Sequence, residues 1–272
     1  MNTRAIQAII RKDLKVTLQN KGVMIPLVIV PLVMFVALPA LAGLTPLLGE
    51  GPGSPLNDLQ LFLANMPPAL QAALAGYTPM QQVVVLALFY FLAPMYLIVP
   101  LMVASVIAAD SFAGEKERKT LEALLYTPTT DRELLLGKLL AAWLPAVAVG
   151  LVGFVLYAIV ANVAAWSTMG GIFFPNLMWM ALALWVAPAV AGLGLVVTVL
   201  ISARAEGFQD AYQMGAIIVL PLLLLVIGQA TGVMYFSVGL VVLLGMVLWL
   251  LDGLLLLWGG RWFRRADLFS RL

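Results

Sequence analysis

Two groups of residues in this sequence have the types and spacing to do chemistry. Glu115, Lys116, Glu117, Arg118, Lys119 and Glu122 put six charges within eight residues of a 272-residue chain that is only 10% charged. Leu121, Leu124 and Leu125 add a short apolar face. Mixed charge beside such a face suits the docking of a soluble protein. The same composition also suits a solvated linker, whose i,i+4 charge pairs contribute only about 0.2–0.5 kcal/mol each. The second group is a single residue, Asp252, an acid well inside an apolar stretch. An aspartate at the centre of a membrane helix costs about 2.5–3.5 kcal/mol. It is therefore either a site for a cation or proton or a structural partner for a nearby cation such as Arg204 or Arg261.

Other chemistry is excluded by composition. The chain has no cysteine and no histidine, which removes disulfide frameworks, Cys/His metal sites, Ser–His and Cys–His nucleophile pairs and haem ligation. A phosphate-cradling loop needs Gly-x-x-x-x-Gly-Lys-Ser/Thr. The only Gly-Lys, Gly137-Lys138, is followed by Leu139 and has Arg132 where the first glycine should be. The sequence thus predicts no catalytic residue, no metal site and no cofactor bound by this chain. A net charge of +2 gives no ground for nucleic-acid binding.

The elements that hold these residues are membrane spans. With 63% apolar residues and a mean hydropathy of +1.06, the chain lies far from the 45–50% apolar composition of soluble domains. Six stretches reach the roughly 20 apolar residues that cross a hydrocarbon core of about 30 Å: 23–44, 83–109, 134–161, 177–201, 211–230 and 236–258. Nothing alternates as a membrane β-barrel requires. The expected fold is an all-α polytopic membrane protein: an interfacial helix over 1–22, then one six-span domain over 23–272. Spans two and three are long enough to require tilt or a kink. The prolines inside the spans are tolerable because neighbouring helices can satisfy the freed backbone groups.

The fifteen Lys and Arg residues all fall on one side of this arrangement, and segments 45–80, 162–176 and 231–235 hold no cation. The positive-inside rule makes the basic side cytoplasmic, which predicts a multi-pass protein of the cell (inner) membrane with both termini inside. Ala40-Leu41-Ala42 imitates a signal-peptidase site, but the preceding polar segment is long and contains Asp13, so the first span is expected to be retained. Outer loop 45–80 reads as two short amphipathic helices, Leu56–Met66 and Ala69–Tyr77, forming a cap on the bundle. In the N-terminal segment, Ile6, Ile10, Leu14 and Leu18 form a stripe with Ile9 beside it, the pattern of a passive anchor lying on anionic lipid. Trp258, Trp262 and Phe263 with Arg261, Arg264 and Arg265 read as an interfacial belt. Gly150/Gly153, Gly192/Gly194 and Gly228/Gly232 read as close-packing positions. Tyr90, Phe91, Tyr96, Trp179 and Trp185 are available to line an apolar path.

Inner segment 110–133 predicts a short helix stopped at Thr127-Pro128, then a Thr130-x-x-Glu133 capping box that starts the third span. From Phe112 to Lys138 this segment resembles the type-2 permeases of ATP-binding-cassette exporters, with its Glu-Lys-Glu and Thr-Leu-Glu motifs, its proline and the Gly-Lys that enters span three. Arg11-Lys12-Asp13-Leu14 leading to Pro31 is similar to that family's opening, although Glu is commoner at the acidic position. The resemblance implies an ABC permease subunit, itself not an enzyme. Paired with an identical or paralogous permease, it would form the translocation path in membrane lipid and bind a cytoplasmic ABC ATPase that uses the ATP. By motif position the loop helix would be a coupling helix, with Glu115, Glu117, Arg118, Thr120, Leu121, Glu122 and Leu125 carrying the contact. The alternative reading is an ion-coupled secondary transporter or channel that uses Asp252. No internal repeat between the halves supports it.

Overall fold

The computed structural model describes residues 2–48, 66–120, 129–231 and 234–259. The described residues are mostly helical and contain no strand. Six of their helices are long and apolar enough to cross a membrane. Helix α1 covers Thr3–Gln19. The first span is α2 (Lys21–Leu44), and a short helix, α3 (Pro68–Leu74), precedes the second, α4 (Pro79–Glu117). Spans three to six are α5 (Asp131–Ala164), α6 (Leu177–Ser202), α7 (Phe208–Ala230) and α8 (Val238–Gly259).

Helices α4 and α6 form the centre. They bury more than half of their apolar windows, while the other four spans bury less than a third of theirs. Helix α6 packs on α4, α5, α7 and α8, and α5 packs on α4, α2 and α1. Val163, Leu224 and Leu250 face outward and are about 70% exposed, which is the expected surface of a bundle whose solvent is lipid.

The long second span owes its shape to proline. In α2, α4 and α6 a widened helical turn runs up to a proline: Val33–Ala37 before Pro39, Leu86–Phe91 before Pro94, and Leu182–Val186 before Pro188. Proline clashes with the carbonyl four residues back and brings no N–H, and a widened turn makes room for it. In α4 the Leu92 N–H bonds to Ala87 instead of Leu88. The freed carbonyls are recovered by side chains from other spans. Tyr157 donates to Leu88 O at 2.7 Å, and Trp179 Nε1 donates to Phe89 O at 3.1 Å. Tyr90 O, which loses its donor at Pro94, faces the side-chain amide of buried Gln229, whose nitrogen donates to it when that amide is turned over. These bonds satisfy backbone groups that find no water in a bilayer.

Tyr96 and Trp179 therefore belong to the core and do not line a path. Both are fully enclosed with Phe35, Tyr157 and Phe174, and the Tyr157 and Trp179 rings stack at 4.5 Å. Gly153, Gly192 and Gly194 act as packing positions, as their spacing suggests, whereas a Cβ on Gly150 or Gly228 would meet nothing closer than 3.5 Å. A Cβ on Gly153 would fall inside the Phe35 ring, one on Gly192 would meet Asp252, and one on Gly194 would sit 2.9 Å from Leu101 O. Gly232 and segment 56–65 of the outer cap lie outside the described residues. Of segment 45–80, Met66 and the α3 residues Leu70 and Leu74 are buried in the core.

The N-terminal helix departs from its expected role as an anchor on lipid alone. Its buried face is Ile6, Ile9, Asp13 and Thr17, while Leu18 is 64% exposed. Helix α1 docks on the start of α5, where a Cβ on Gly137 would touch Ile9. The inward face is chosen by Asp13, which has charged partners inside the protein. The predicted stripe is left partly outward, with Ile10 and Leu14 only half-buried.

Candidate functional site

The charged run lies where α1, the end of α4, the start of α5 and the α6–α7 link converge. Its first three residues finish the second span, so α4 runs on to Glu117, past the expected boundary at Ala109. Lys119 adopts φ 56°, and two bonds close the helix behind it. The Thr120 N–H reaches Glu115 O at 3.0 Å, and the Lys119 N–H reaches Lys116 O at 3.1 Å. This is a Schellman ending with lysine at the left-handed position that glycine usually takes. Any separate loop helix would fall on residues 121–128, and Leu121, Glu122 and Leu125 lie outside the described residues. The Thr130–Glu133 capping box is present. Thr130 Oγ1 accepts from the Glu133 N–H, the Glu133 carboxylate accepts from the Thr130 N–H at 3.0 Å, and its other oxygen accepts from the Asn2 N–H.

The predicted contact residues do not share one environment. Glu115 is buried, whereas Glu117, Arg118 and Thr120 are exposed. Glu117 is nonetheless engaged: its Oε2 accepts from the Phe208 N–H at 2.9 Å at the start of α7. Gly207 lets this contact form closely, because a Cβ there would lie 2.6 Å from that oxygen and push the Glu117 carboxylate aside. Lys116 donates to Ala205 O at 3.2 Å. Arg118 folds back over Gly114 to Asp110 at 3.0 Å, and Asn20 donates to the same Asp110 oxygen at 3.3 Å.

Beneath this surface lies a group that pattern reading missed. The Lys138 side chain is fully buried, four residues past the start of the predicted span. Its ammonium donates to Glu115 Oε2 at 2.7 Å, Ser111 O at 2.5 Å and Ser111 Oγ at 3.1 Å, and it stands 3.6 Å from Asp13 Oδ2. Ser111 donates to the same Asp13 oxygen at 2.6 Å. Lys12 closes the ring from the rim by pairing with both Glu115 and Asp13. Two cations and two carboxylates balance, as buried charges must. Burial works against the charge on Lys12, but its bond to Glu115 and the field of Asp13 outweigh that and hold the ammonium above the ordinary lysine value.

Backbone geometry makes room for this cluster. Asp110–Gly114 is another widened turn, in which the Glu115 N–H turns to Phe112 O. That leaves Ser111 O without its usual donor, and Lys138 supplies one. The sequence signals were a lysine inside an otherwise apolar run and an acid on the inward face of α1, each of which reads by itself as peripheral.

Asp252 lies apart, in α8 against Gly192 of α6. It is 3% exposed, and among the described residues neither carboxylate oxygen has a hydrogen-bond partner. Ser105 Oγ and Thr198 Oγ1 are likewise buried and without partners. The expected pairing with Arg204 is not formed, and Arg261 lies outside the described residues. No group of three or more potential metal ligands occurs among the described residues.

The family model described as "ABC-2 family transporter protein" matches residues 7–252. That range takes in the ion cluster, the charged turn and Asp252. No curated protein and no solved structure matches the chain.

Proposed function

The chain belongs to the ABC-2 family of transporter proteins, and from that membership we propose that it is the permease subunit of an ATP-driven exporter. Two such subunits, identical or paralogous, form the path between them, and separate cytoplasmic ATPase subunits hydrolyse the ATP. The basic end faces the cytoplasm in this reading, which the distribution of cations supports. The observation that carries this reading is the exposed turn Glu117–Thr120. It projects from the central span α4 and is tied through Glu117 and Lys116 to the α6–α7 link. A partner pressing on this turn acts on both central spans. Coupling passes through Glu117, Arg118 and Thr120 with Leu121, Glu122 and Leu125, while Glu115 contributes from inside.

The test is gentle purification of the tagged chain from its host membranes. An ABC ATPase is expected to accompany it and to be lost from a Lys119→Glu/Glu122→Lys variant. These positions are chosen because reversing Glu117 would also uncap α7. Recovery of the chain without an ATPase, or an undiminished complex in the variant, would overturn the assignment.

A second role within the same permease is supported by Asp252, a buried carboxylate without a partner among the described residues. We propose that it takes up a proton or small cation within the membrane. Full transport with unaltered pH and ion dependence in Asp252→Asn would remove this role.

A further inference from the structure

The ion cluster joins three helices at the place where the exposed turn begins. Asp13 belongs to α1, Ser111 and Glu115 to the end of α4, and Lys138 to the start of α5. Apart from the Lys12–Asp13 pair within α1, each bond crosses from one helix to another, or from a side chain to backbone that the widened turn has released. The Lys138 ammonium uses its protons on acceptors that all lie in the last turns of α4. Glu115 is held from both sides, by Lys138 within and Lys12 at the rim. Two residues further on, Glu117 opens the exposed turn.

We propose that Lys138 is a positioning residue for coupling. It holds α1, the end of α4 and the start of α5 together as one block, so that a load on Glu117–Thr120 moves three helices and not one. Helix α1 is then a working part of the block and not only a membrane anchor. The proposal rests on the reading of the exposed turn as the ATPase contact. The chemistry fits a block better than a hinge. A neutral ring of four charges, three of them buried and the fourth, Lys12, at the rim, is costly to open, because separation strands the buried ions in a poorly solvating environment.

The experiment uses the complete complex with its ATPase, reconstituted in liposomes. Lys138→Met alone strands a carboxylate and invites misfolding, so the informative variant is Lys138→Met/Glu115→Gln. It keeps the cluster neutral, with Lys12 still facing Asp13. Complex yield is expected to match the unaltered protein, while ATP hydrolysis by the complex falls several-fold. The chain has no cysteine, so a disulfide can be introduced cleanly where α1 meets α5. A Cβ at position 137 lies 3.0 Å from Ile9 Cβ, so a small separation of the two helices brings the pair into the range of about 3.5–4.5 Å that a disulfide spans. Ile9→Cys/Gly137→Cys placed in the Lys138→Met/Glu115→Gln background should restore hydrolysis when oxidised and lose it again on reduction. Rescue by a covalent link is a result that loss of folding alone does not produce. Unchanged hydrolysis in the neutral variant, or a formed disulfide that restores nothing, overturns the proposal. Failure of the unaltered chain to bind any ATPase strikes instead at the coupling reading beneath it.

Discussion

Lys138 is the residue at which charge and hydropathy patterns pull hardest against each other. In an apolar run a lysine reads as a snorkelling side chain near a helix end, and Asp13 reads as one more charge on a basic surface helix. Neither sequence position reveals that the two side chains stand 3.6 Å apart. That proximity depends on how α1 docks on α5, which is a long-range fact. The balance of charge gives an asymmetric prediction. Lys138→Met alone removes one partner from a buried set and should cost about 3–5 kcal/mol. Lys138→Met/Glu115→Gln should recover most of that loss in thermal unfolding of the detergent-solubilised protein. Equal destabilisation by the single and double variants would mean that Lys138 contributes by volume and not by charge. The rim of the cluster adds a pH prediction. The folded state holds the proton on Lys12 more tightly than the unfolded chain does, so this stabilisation is complete below the ordinary lysine value of 10.5 and is lost as pH rises through the folded value. Protease resistance of α1 should therefore be level across neutral pH and fall only in the alkaline range. A fall beginning near pH 7 would assign the docking to another group.

The widened turns show the same division between what local sequence reveals and what packing decides. Prolines inside apolar runs signal that backbone bonds will be lost, and the long second span signals a departure from a straight helix. Which residues repair the damage is not legible, because the donors come from other spans: Tyr157 from α5, Trp179 from α6 and Gln229 from α7. An amide near a span end gives no hint that it serves Tyr90 O, far away in sequence. This repair can be tested as a cycle. Gln229→Leu leaves a buried carbonyl unsatisfied and should cost about 1–3 kcal/mol. Pro94→Ala returns the missing N–H to the same carbonyl, so the double variant should lose less than Gln229→Leu alone. Strict additivity of the two in thermal unfolding would show that Gln229 and Pro94 do not act on the same group. At the helix ends the sequence was more explicit. The Thr130–Glu133 box is a local motif and stands where it was read. The α4 ending was hidden because Lys119 occupies a backbone conformation that a glycine would have advertised.

At the scale of the whole molecule, hydropathy and charge carry most of the architecture, since each span must be long and apolar in its own right and the cations must avoid one side. The six helices found among the described residues follow the six stretches read from composition, and their order in the bundle is what had to come from packing. This arrangement makes a prediction about sidedness that depends on counting crossings alone. Lys15 on α1 is exposed, and Ile172, in the link between α5 and α6, is 81% exposed. Three spans separate them, so they must emerge on opposite faces of the membrane. Arg204, exposed in the α6–α7 link, is four spans from Lys15 and must share its face. Because the chain has no cysteine, single substitutions Lys15→Cys, Ile172→Cys and Arg204→Cys can each be probed with an impermeant thiol reagent in sealed vesicles of known orientation. Positions 15 and 204 should label only from the cytoplasmic side and position 172 only from the other. Labelling of 15 and 172 from one side would require a helix among the first three to lie in the interface. Labelling of all three as grouped, but with the sides exchanged, would leave the fold intact and place the exposed turn Glu117–Thr120 beyond reach of any ATPase in the cytoplasm.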